Sequence, residues 1–99
     1  MIQVQVFFDE DDRHDNAPLY EYLMRYLIHH EIKGATLFSA MGGFGSKHHL
    51  NFPRKLGAAD EGPLMLLFID TEEKARRVMP HLKSVLREGL IVTSSVEIP

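Results

Sequence analysis

The residues best suited to chemistry lie together near the middle of the chain, in Gly42-Gly43-Phe44-Gly45-Ser46-Lys47. Glycines let peptide N–H groups approach an anion closely and form a concave nest for phosphate. Lys47 and Arg54, with Lys55 beside it, are placed to neutralise an acidic ligand. The same cluster also reads as a bulge and turn closing an edge strand, and loop cations are often simply solvated. The 6 histidines offer a second chemistry. His48-His49 and His29-His30 carry imidazoles that suit zinc, copper or nickel. Neighbours on a helix point about 100° apart, so His29 and His30 are poor joint ligands, whereas His48 and His49 on a loop are less constrained. Surface or pH-responsive histidines are the competing reading. Asp9-Glu10-Asp11-Asp12 with Asp15 has the composition of a hard-cation site but lacks the calcium-loop pattern, and a solvated turn is the better reading. Ser39, Ser46, Ser84, Ser94 and Ser95 show no elbow or triad signature. With no base and nucleophile paired, the expectation is a non-catalytic protein.

Positioning these residues requires ordered elements around them. Ile2, Val4, Val6 and Phe8 alternate with Gln3, Gln5 and Phe7, the period of a strand buried more on one face. The polar run 9–16 is a turn, with Asp15 or Asn16 expected to cap the helix that follows and Pro18 suited to its first turn. Leu19, Tyr22, Leu23, Tyr26 and Leu27 form a helical stripe, and Gly34 is where that helix is expected to stop. Residues 35–41 read as a second strand. The span 46–62 has neither period, which is unusual in a small domain unless the loop is functional or disordered. Residues 64–69 are apolar on both faces, as in a central strand covered by helices on one side and by a partner on the other.

Asp70 or Thr71 is expected to cap a second helix, with Glu72 and Glu73 complementing its dipole. Ala75, Val78, Met79, Leu82, Val85 and Leu86 supply its stripe, Pro80 is expected to kink or split it, and Gly89 to end it. Residues 90–92 and 96–98 read as one last strand interrupted by Thr93, Ser94 and Ser95. The order β, α, β, β, α, β with right-handed crossovers gives an α+β, ferredoxin-like sandwich: an antiparallel sheet with two helices on one face.

Length and composition bound the alternatives. Ninety-nine residues suit one domain, 1–99, and a domain this small leaves much apolar surface to be buried by association. The absence of cysteine excludes disulfide frameworks, thiolate metal sites and cysteine nucleophiles. A formal charge of -3 with no basic stretch argues against nucleic-acid binding. No leader or apolar run of membrane length is evident, so a cytoplasmic location without membrane insertion is expected.

Several segments together resemble a known family. Met41 to His49 looks like the end of the second strand and the opening of the long loop in PII signal proteins. More closely, Pro18-Leu19-Tyr20-Glu21, Lys33-Gly34-Ala35-Thr36, Gly42-Gly43-Phe44-Gly45, Asp70-Thr71-Glu72-Glu73-Lys74 and Glu88-Gly89-Leu90-Ile91 resemble the PII-like family called domain of unknown function 190. The resemblance implies a homotrimer with ligand clefts between subunits. It also implies a signal-transduction role in which loop 46–62 contacts a regulated protein such as a transporter or enzyme. Nucleotide binding of the PII kind, to ATP, ADP or AMP, would use Gly42, Gly43, Phe44, Gly45, Ser46, Lys47 and Arg54. Ser46 and Lys47 stand where PII proteins have Arg and Gln, and the lysine-bearing loop before the last strand is missing. Two further classes stay open: a divalent-metal or metal-tolerance trimer using His48 and His49, and an interaction module without a small ligand.

Overall fold

The structure, a computed structural model, describes residues 1–44 and 62–99. Its elements are β1 (Ile2–Asp9), β2 (Arg13–His14), β3 (Ala17–Pro18), α1 (Leu19–His29), β4 (Ala35–Ser39), β5 (Pro63–Asp70), α2 (Glu72–Val85) and β6 (Leu90–Ser95). The sheet order is β4-β5-β1-β6, and every pairing is antiparallel. This is the ferredoxin-like arrangement read from the sequence, with a two-residue hairpin, β2-β3, added before α1.

Strand alternation decides the two faces. Val4 pairs with Phe68, Val6 with Leu66 and Phe8 with Leu64, and all six are buried beneath the helices. Leu19, Leu23 and Leu27 of α1 join Ala75, Val78, Leu82 and Val85 of α2 in the same core. Each such fully buried aliphatic side chain contributes about 1.5–3 kcal/mol relative to exposure.

Among the described residues, the sheet's other face carries no helix. Across it, in register, run Phe38, Met65, Phe7 and Leu90, followed by Thr36, Leu67, Gln5 and Val92. Phe7, Phe38, Leu90 and Val92 are 37%, 45%, 60% and 40% exposed. Among the described residues, this apolar row spans all four strands and is open to water, which is unusual for a small protein.

Several local expectations are corrected. Asp15 and Asn16 do not cap α1: both have positive φ, 51° and 64°, and form the two central residues of the tight β2-β3 turn. The helix start is satisfied instead by Leu19 N–H donating to the Asp12 carbonyl, 2.7 Å away. Gly34 does not stop α1. Glu31, at φ 64°, takes the left-handed position, with Glu31 N–H on Ile28 O at 3.1 Å and Ile32 N–H on Leu27 O at 3.0 Å. Pro80 does not split α2: the helix runs unbroken from Glu72 to Val85, with Pro80 on its exposed face. Finally, β6 runs unbroken through Thr93 and Ser94 to Ser95 and ends there; beyond it Val96 N–H bonds the Met1 carbonyl at 3.0 Å.

Candidate functional site

The glycine segment begins at Gly42, two residues after Ala40 and beyond the end of β4, an edge strand of the sheet. Ala40 N–H donates to the Pro63 carbonyl at 2.9 Å, and a Cβ at Gly43 would lie 3.6 Å from the Pro63 ring. Gly42 and Gly43 are half-buried, while Met41 and Phe44 are exposed. Across the stem, Glu10 N–H donates to the Gly62 carbonyl at 2.9 Å, and Asp9 pairs with Pro63. Gly62 and Pro63 are thus held against the end of β1, and Ala40 and Gly43 against Pro63. Gly45, Ser46, Lys47, His48, His49, Arg54 and Lys55 lie outside the described residues.

Pairing to β1 brings the acidic turn to this stem. Asp9, Asp11 and Asp12 place carboxylate oxygens within 4.8 Å of one another, and among the described residues they are the one such group of three acidic or histidine ligands. The turn is folded on itself, since the Asp12 carboxylate accepts from Asp9 N–H at 3.1 Å and the Asp9 carbonyl accepts from Asp12 N–H at 3.1 Å. The turn lies at the surface, with Asp9 and Asp11 exposed and Asp12 half-buried. It also makes the stem electronegative on the β1 side, so an anion held there needs cations from elsewhere.

The helical side holds an arrangement that sequence reading did not assemble. Tyr22 and Tyr26 of α1, His81 of α2, His30 after α1 and His14 of β2 form a chain of rings. Centroid separations are 4.3 Å for His14–Tyr22, 4.4 Å for Tyr26–His81 and 4.2 Å for Tyr26–His30. The Tyr22 hydroxyl lies 2.6 Å from His81 Nε2. Burial, with Tyr22 nearby, pushes the Tyr26 phenol above its usual range. Tyr22 and Tyr26 are therefore contacts between helices, and the i, i+4 spacing of two tyrosines is the signal that pointed to them. His30 packs against Tyr26 with the ring planes tilted by 39°, while His29 is exposed, so the two adjacent histidines diverge.

One buried charge organises the opposite end of the core. Asp70 is fully buried, and its carboxylate accepts from Lys33 N–H at 3.0 Å and Thr71 N–H at 2.7 Å. Burial alone would raise its pKa. The two peptide donors, with the charges of Lys74 and Lys33, outweigh that and hold it below the usual carboxylate value. Thr71 is the cap of α2, accepting from Lys74 N–H at 3.3 Å, and Lys74 Nζ reaches the Glu31 carbonyl at 2.9 Å. This network fixes the start of β4, and hence the strand that leads to the glycines. No described helix is long and apolar enough to cross a membrane.

Comparison with known proteins finds relatives over nearly the whole chain. A UPF0166 protein of Aquifex aeolicus is 28% identical over 95 residues, spanning 96% of this chain and 90% of the relative. A UPF0166 protein of Methanocaldococcus jannaschii is 25% identical over 96 residues, spanning 96% and 88%. The model of the DUF190 family, described as "Uncharacterized ACR, COG1993", matches residues 1–98, and the chain belongs to that family.

Proposed function

We propose that this protein is a non-catalytic regulatory sensor which assembles as a homotrimer and binds a small anion, an adenine nucleotide being the leading candidate, in clefts between subunits. The observation that carries the reading is the loop stem. An edge strand delivers Gly42 and Gly43 to the sheet's rim, where Ala40 bonds Pro63 and Pro63 pairs with Asp9 of β1. Peptide groups at such a rim are accessible to a ligand, and a neighbouring subunit supplies the second wall.

Association is supported by the open sheet face, whose row Phe38, Met65, Phe7 and Leu90 needs cover. The ligand's role is to favour one arrangement of loop 46–62 and so alter contact with a regulated protein, a coupling that requires only different affinity for the two loop states. Asp9, Asp11 and Asp12 beside the stem make the ligand's counter-charge decisive.

Isothermal calorimetry with ATP, ADP and AMP, each with and without magnesium, tests the nucleotide reading. Saturable heat with at least one of them supports it, and silence across the set removes it.

A further inference from the structure

The helical layer is narrower than the sheet it covers. α2 packs over β1 and β5, and β6 lies beyond it at the edge. Between α2 and β6 this leaves a groove of about 350 Å³, within the size range of small-molecule sites. Its floor is apolar, made by Ile2 of β1, Ile91 of β6, and Ala75 and Met79 of α2. Its walls carry Glu72, Arg76, Lys83 and Thr93. The α2 residues recur at 72, 75–76, 79 and 83, which is one face of a helix.

The charges on that face are not equivalent. Arg76 is engaged by Glu72, with Nη2 at 2.6 Å and Nε at 2.8 Å from Oε2, so this pair closes one end of the groove with little net charge. Lys83, two turns further along α2, makes no hydrogen bond or ion pair among the described residues. The groove is thus an apolar trough with one uncompensated cation at one end. Met79 between the two ends is a side chain that adapts its shape to an occupant.

We infer that this groove binds a monoanionic amphiphile, a carboxylate bearing a short aliphatic chain. The head sits at Lys83, and the chain lies over Met79, Ala75, Ile2 and Ile91. A cationic head of the same chain length would meet Lys83 with like charge. The groove is at the β6 edge of the sheet and the glycine stem at the β4 edge, so the two sites are independent and the failure of one leaves the other standing.

The test is methyl NMR of the whole chain titrated with decanoate below its micelle concentration. The methyls of Ile2, Met79 and Ile91 shift together and saturate. Lys83→Glu weakens the binding about tenfold or more, the loss of one charge-assisted contact, and Lys83→Arg retains it. Decyltrimethylammonium leaves the same methyls in place. The inference is overturned by the absence of saturable shifts, by equal shifts with the cationic amphiphile, or by unchanged affinity in Lys83→Glu.

Discussion

The Tyr22 hydroxyl of α1 and His81 Nε2 of α2 lie 2.6 Å apart across 59 residues of sequence, and this contact joins the two helices above the sheet. His81 also packs against Tyr26 with the ring planes tilted by 31°, so both tyrosines bear on one imidazole. Tyr22→Phe keeps the ring and removes the bond. It is expected to cost about 0.5–1.5 kcal/mol, measured by urea denaturation, with the fold retained.

Asp70 links acid stability to the start of β4. Its native pKa lies below the unfolded value of about 3.9, so the carboxylate's contribution is fully present above that value and is lost as pH falls through the native one. Unfolding free energy from about pH 5 down to about pH 2 should fall less steeply in Asp70→Asn than in the wild type. At neutral pH, Asp70→Ala should cost about 1–3 kcal/mol, because two partly buried peptide N–H groups lose their acceptor.

Two backbone positions predict shifts of opposite sign. Glu31 adopts a left-handed conformation that glycine occupies without strain, and its carbonyl, the part Lys74 uses, is unaffected by substitution. Glu31→Gly is expected to stabilise by about 0.5–1 kcal/mol. At Gly89 a Cβ would lie 2.7 Å from the Phe7 carbonyl oxygen and 3.0 Å from Leu86, so Gly89→Ala should destabilise by about 1–3 kcal/mol. Thermal denaturation of the two variants reads both.

The open sheet face predicts a change of assembly without loss of fold. Phe38→Glu and Leu90→Asp place charge in the exposed apolar row at β4 and β6. Light scattering coupled to gel filtration should show the wild type as a trimer and each variant shifted toward monomer, with unchanged far-ultraviolet circular dichroism. A wild type that is already monomeric removes the assembly from the proposed function.

The sequence was most readable where one short-range rule acted alone. Alternation in Ile2–Phe8 and the Ala75, Val78, Leu82 stripe placed β1 and α2 without help from tertiary structure. Glu31 was missed because Gly34, three residues on, is the residue type that normally ends a helix, whereas here the chain tolerates glutamate in the left-handed position. Thr93, Ser94 and Ser95 looked like an interruption because polarity suggests a turn; at the rim of the sheet, beyond α2, a strand can be polar and still paired. The stem was legible through Gly42 and Gly43, but the acidic turn beside it required the β1–β5 register. The groove at Lys83 and the ring chain around His81 depend on how helices sit over strands, which no local pattern encodes.

Native mass spectrometry of the protein with added ATP, ADP and AMP tests the sensor reading most directly. A trimer carrying up to three copies of one nucleotide is the predicted result. A monomer, or a trimer that stays bare with all three, would contradict it.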